Sequence, residues 1–310
     1  MATVGPVRVI SRVFAQNWTT GHALRRRIDS LDPDRDDEQI AALIANGLFA
    51  DAYFAHSTYL VTFARQASVP AIAKVLYRSG NGDIATKPRQ RNNDTIVYFT
   101  EFYRRGYRSP DGIAAIKMME AIHDRFLISE ELKLYTLATV MLEPDRLALQ
   151  FGKDPFSDVD KRGRWNFWCG IAGVMGLTMP ADSREGFLQW MYDFEAENYA
   201  HTEDAAGCYR GLVEDWLRWY PSWVPGRKWM AEQSLSALLD PTVRRAVGAA
   251  KPPAPVQFQV NLVARAYLES TPVRVFRKDR SLVNFFGREH RDPRSLEGVG
   301  HEPPQRAKSS

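Results

Sequence analysis

In the stretch RQRNNDTIVYF, Arg91 and Thr95 stand four residues apart, which stacks them on one face of a helix. That face runs on through Phe99 and Phe102, so it points inward and sets an arginine and a threonine above aromatic rings. Asp94 lies in the same turn. The arrangement makes a polar rim on an apolar cavity: Arg91 and Thr95 orient or polarise a bound molecule, and Asp94 serves as an acid–base group. The same letters also read as a capping turn, with Asn93 and Asp94 satisfying free backbone amides and Arg91 at the surface.

Further along, MMEAIHDRFLIS carries His123 on an apolar face. Ser109 and Pro110 open a helix here, a hydroxyl cap followed by the ring that suits the first helical position. Ile113, Ile116, Met119, Glu120, His123, Phe126 and Leu127 recur at helical spacing, while Asp124 and Arg125 point away. A lone histidine on such a face is either a hydrogen-bonded core residue or an axial ligand to haem iron. In the second case its other ring nitrogen donates to the carbonyl one turn back, near Met119. A flat apolar macrocycle needs a helical, aromatic slot and a cation for its propionates, a role open to Arg91.

The elements that position these residues are all helical. DEQIAALIANGLF, DAYFAHSTYLVTFARQ and VPAIAKVLYRSGNG are apolar at intervals of three and four. The Arg91 helix begins at Asn92 or Asn93 and stops at Gly106. SEELKLYTLATVMLEP, capped by Ser129 and ended by Pro144, is apolar nearly all round, which marks a central buried helix. Ser157 or Asp158 opens the Trp165 helix, Asp182 or Ser183 the next, and Thr202 the one after. Two or three more fill roughly 227–285. With no run of alternating strands and no repeat, the fold is all-α, a single multi-helix bundle over 31–286. Residues 287–310 are charged and Pro-containing and read as disordered.

Composition is that of a globular protein: 310 residues, 45% hydrophobic and 12% aromatic. The formal charge of +4 implies no nucleic-acid partner. Cys169 and Cys208 are too few for a disulfide framework and fit a cytoplasmic, reducing setting; Cys169, mid-helix among aromatics, reads as inert. Residues 1–28 hold five arginines and no acid. They read as a frayed basic terminus, with an organelle presequence or a membrane-surface segment as alternatives. DPDRDD from Asp32 lacks the glycine and the twelfth-position glutamate of a calcium loop. GNGDIA from Gly80 follows a helix, not a strand, so it is no dinucleotide fingerprint.

From RQRNNDT through AAIKMMEAIHDRF and LKLYTLATVMLEPDRL to the Trp165 helix, the chain resembles the MpaB and latex-clearing rubber oxygenase family, over roughly residues 35–245. The resemblance implies an all-helical fold, haem b with His123 as its proximal ligand, and Arg91 and Thr95 in the haem pocket. It also implies a corner at Leu-Glu-Pro and dioxygen-dependent cleavage of carbon–carbon double bonds in a hydrophobic, isoprenoid-like substrate. One departure is Asp94, where the latex-clearing enzymes carry a lysine able to take the sixth iron position. The rival expectations are a helical protein that sequesters a lipid without redox chemistry, and a peripheral membrane protein held by its basic N-terminal segment.

Overall fold

The computed structural model describes residues 17–126, 128–278 and 281–287. Leu127, most of the basic start and nearly all of the charged tail lie outside the described residues. Fifteen α-helices follow one another among the described residues. They are α1 (Gly21–Asp29), α2 (Asp37–Leu43), α3 (Ala52–Ala67), α4 (Pro70–Tyr77), α5 (Asp83–Thr86), α6 (Pro88–Arg105), α7 (Pro110–His123) and α8 (Glu130–Gln150). Then come α9 (Asp158–Met175), α10 (Arg184–Asn198), α11 (Glu203–Trp216), α12 (Arg227–Leu238), α13 (Pro241–Val247), α14 (Ala254–Glu269) and α15 (Leu282–Phe286). The all-α bundle expected from periodicity is the observed architecture. None of the described helices is long and apolar enough to cross a membrane.

Side-chain caps set many of the boundaries. Ser109, Ser129 and Thr202 accept from the amides of Gly112, Leu132 and Ala205, as their sequence positions predict. The two ambiguous starts go to hydroxyls: Ser157 forms a reciprocal capping box with Asp160, and Ser183 accepts from Gly186 N. Gly106, at φ 72°, ends α6 where a side chain would be strained.

Four boundaries differ from the sequence reading. The helix α6 starts at Pro88, one turn before Asn92, because the proline ring is preorganised for a first turn. The helix α8 runs through Pro144 to Gln150, so no corner forms there. Pro144 supplies no amide to the Val140 carbonyl one turn back, and Arg164 Nη2 donates to the adjacent Met141 carbonyl. Two three-residue strands, β1 (Trp18–Thr20) and β2 (Val275–Arg277), pair antiparallel and are too short for alternation to reveal. Finally, residues 17–29 are folded onto the body rather than frayed: Ile28 is fully buried and Arg25 pairs with Asp160.

The helices α3 and α8 pack side by side at the centre. Twelve of the sixteen α3 residues are buried, more completely than in α8, which keeps one face toward a cavity. Arg65 of α3 is 3% exposed and ties four elements together. It pairs with Glu143 of α8 (2.7 Å), Glu195 of α10 (3.1 Å) and Asp240 (2.5 Å), the cap of α13. Arg146 of α8 shares Glu195 at 2.8 Å. Burial alone would lower the Arg65 pKa, but the surrounding carboxylates hold it well above its ordinary value.

Two stability experiments follow. Arg65→Met leaves three carboxylates without their shared cation and is expected to cost about 3–5 kcal/mol in urea denaturation. Gly211 and Gly173 form a contrasting pair. A Cβ at Gly211 would meet the Ile84 carbonyl oxygen at 2.2 Å, backbone that cannot rotate away, whereas one at Gly173 meets nothing within 4 Å. The clash outweighs helix propensity at the first site only. Gly211→Ala is expected to destabilise by about 1–3 kcal/mol, and Gly173→Ala to stabilise by up to about 1 kcal/mol.

Candidate functional site

Helices α3 to α9 enclose a cavity of about 610 Å³, within the range typical of small-molecule sites. Its walls are largely apolar: Phe63 from α3, Ile72 and Leu76 from α4, Phe99 from α6, Leu137 and Val140 from α8, and Trp168 and Ile171 from α9. Arg91, Asp94, Thr95 and His123 all lie on this wall. A smaller cavity of about 150 Å³ adjoins it behind Tyr59, Thr62, Phe99 and Val140.

The helix α6 brings Arg91, Asp94 and Thr95 to the cavity because it starts early. Asn93 and Asp94 are buried in its second turn, so the capping reading of this stretch does not hold. Arg91 points inward, its guanidinium carbon 3.9 Å from the centre of the Phe63 ring. It donates to the Tyr59 hydroxyl and, at 3.3 Å, to Asn92 Oδ1. Thr95 Oγ1 donates back to the Arg91 carbonyl at 3.1 Å. Burial and the nearby Asp94 charge push Tyr98 up to about 12.

His123 is the last residue of α7, whose second half turns Met119, Ile122 and His123 to the cavity, followed by Phe126. Ile113, expected on the same inner face, is 39% exposed, because only the C-terminal half of α7 has the cavity beside it. The expected bond to the carbonyl near Met119 is also missing: Nδ1 of His123 is buried with no hydrogen-bond partner. Burial, assisted by the Lys133 and Arg91 cations, pushes His123 down to about 4. The ring is therefore neutral at physiological pH, with a lone pair free to bind a metal.

Among the described residues, no group of three or more His, Cys, Asp or Glu side chains is placed to hold a metal ion. A bare ion needs three or four protein donors, whereas a macrocycle brings its own and needs one axial ligand. Cys169 offers no rival ligand, since burial pushes its thiol up to about 11.

Sequence reasoning named the rim but missed what anchors it. Tyr59 OH donates to Asn92 Oδ1 (3.1 Å), and Asn92 Nδ2 donates to Asp215 Oδ2 (2.7 Å). The same carboxylate oxygen lies 2.9 Å from His56 Nε2, and Trp219 Nε1 donates to His56 Nδ1 at 2.9 Å. Because Nδ1 accepts the indole proton, Nε2 carries the ring proton and His56 is neutral. Burial lowers the His56 pKa despite Asp215. For Asp215, burial alone would raise the pKa, but hydrogen bonds from His56 and Asn92 and the Arg218 guanidinium hold it below the ordinary range. These partners come from α3, α6, α11 and the turn that follows it, and no local pattern joins them.

No protein-family model matches the chain, and no curated protein matches it significantly.

The neutral His56 yields a pH prediction. An unfolded histidine, with pKa about 6.5, takes up the proton that the folded ring refuses. Stability is therefore complete above that value and falls as pH drops through it, by up to about 1.4 kcal/mol per pH unit for each such histidine. His123 adds to the same slope until about pH 4. His56→Gln, whose amide can still donate to Asp215 and accept from Trp219, is expected to lower the slope of urea-derived stability against pH by one proton's worth. An unchanged slope would exclude a neutral buried His56.

Proposed function

We propose that this protein is a haem-b-dependent oxygenase acting on a hydrophobic, isoprenoid-like substrate. The observation that carries the reading is the buried, unpartnered imidazole nitrogen of His123 on the wall of a 610 Å³ apolar cavity. An orphaned polar atom in such a place costs about 1–3 kcal/mol unless something binds it. His123 would hold the iron as its one protein ligand. Arg91, whose partners among the described residues are a tyrosine hydroxyl and an amide oxygen, would meet a propionate, with Lys133 a second cation on the same wall. Haem, when bound, supplies an iron centre able to activate dioxygen.

The chain's own side chains do the rest. Phe99, Trp168 and the aliphatic wall exclude water and favour an apolar substrate. Thr95 would present an oxygen at the rim, and Asp94 would take or return a proton there. The Tyr59–Asn92–Asp215 chain fixes the arginine's direction. Oxidative cleavage of a carbon–carbon double bond is the proposed outcome, by similarity to the rubber oxygenases. The apolar walls equally favour a second reading, lipid sequestration without redox chemistry.

Titration with haemin separates the two. The purified chain is expected to develop a Soret band that saturates at one haem per chain and shifts with reductant and carbon monoxide. His123→Ala should weaken haem binding by at least about tenfold, since even outer partners of metal ligands contribute 10–100-fold. A colourless protein, or a band indifferent to His123→Ala, would remove the oxygenase reading; a co-purifying lipid in that colourless protein would favour the second.

A further inference from the structure

Between α11 and α12 the chain turns a sharp corner, PSWVPGRKWM, and holds apolar side chains out in water. Trp223 is 81% exposed, Trp229 53% and Met230 40%. Two successive turns, Val224 N to Pro221 O (3.1 Å) and Arg227 N to Val224 O (3.4 Å), shape the corner, and Pro221 and Pro225 stiffen it. Trp223 thus has no flexible route back to the core. The helix α14 packs beside α12, with Gln257 Nε2 donating to Ala237 O at 2.9 Å. Its outer face shows Phe258 (70% exposed) and, one turn on, Leu262 (58%). Leaving this much apolar surface in water is unfavourable and marks an interaction site.

We propose that the Trp223–Met230 corner, together with the outer face of α14, docks on the surface of an anionic lipid bilayer. Charge chooses the partner. Residues 219–231 contain Arg227 and Lys228 and no acid, while Arg218 just before them is buried against Asp215. Lys251, three residues before α14, adds a further exposed cation, and no acid lies between Asp240 and Glu269. Tryptophans beside exposed cations suit the headgroup layer, where an indole sits half in hydrocarbon and a cation meets lipid phosphate or serine carboxylate. None of the described helices can span a bilayer, so contact of this kind is peripheral. The basic N-terminal segment is the weaker candidate over its described part, since α1 is folded onto the body and Arg25 is committed to Asp160. This docking does not depend on haem.

The experiment is co-sedimentation of the full chain with vesicles of pure phosphatidylcholine and with vesicles in which about a third of the lipid is phosphatidylserine. Binding is expected to the anionic vesicles, to weaken with added salt, and to fall at least about tenfold in the Trp223→Ser, Trp229→Ser double variant. A second variant, Arg227→Glu with Lys228→Glu, should lose binding as well; it changes only charge and stands in if the first fails to fold. Equal binding to neutral and anionic vesicles, no binding to either, or binding untouched by both variants would overturn the proposal. So would a solution dimer, seen by light scattering, that the same variants dissolve, because the surface would then join two copies of the chain.

Discussion

The arrangement of the bundle depends on one buried cation. Arg65 sits in the last turn of α3, the most enclosed helix, and reaches carboxylates on α8, on α10 and at the cap of α13. A charge in that position is tolerable only while its partners stay close, because desolvation costs several kcal/mol per ion. Each partner therefore restricts where its helix can lie relative to α3. Hydrophobic burial drives the helices together, but it is non-directional. The Arg65 cluster adds the directional contacts between α3, α8, α10 and α13 that burial lacks.

That packing creates the cavity. With α8 held against α3 by Arg65, its Leu132, Thr136 and Val140 side faces α4, α6 and α7 across open space instead of interlocking with them. The helix α6 closes one side and the end of α7 another. The polar groups on this wall divide by function. Arg91 is held by a chain of hydrogen bonds running back to the buried His56–Asp215 pair, so its direction is set before any ligand arrives. His123, by contrast, is left without a partner on Nδ1. One group is preorganised and the other is open, a division of roles common in binding sites.

The candidate site was legible in part, and the division follows sequence distance. Arg91, Asp94 and Thr95 share a helical turn, and His123 sits at helical spacing from Met119, so periodicity alone brought each toward an interior face. The start of α6 differs because Asn92 and Asn93 are good caps by type; in the structure Pro88 has already begun the helix, and they are interior residues. Pro144 reads as a stop because proline usually is one, yet α8 continues through it, with Arg164 reaching over from α9 to Asp145 and to the Met141 carbonyl beside the proline. Tyr59, His56 and Asp215 could not be picked out, since their partners lie tens to more than a hundred positions away.

By itself, the order of the residues determined the helices. Three-to-four spacing and hydroxyl caps act within a turn or two of chain, so α7, α8, α9 and α11 open where Ser109, Ser129, Ser157 and Thr202 place them. Only the tertiary structure decided which helical faces meet a partner and which line a void. It decided that Ile113 faces water while His123 faces the cavity, and that residues 17–29 belong to the body. The physical reason is range: backbone hydrogen bonds and caps are local, whereas burial and ion pairing depend on neighbours that only folding brings near.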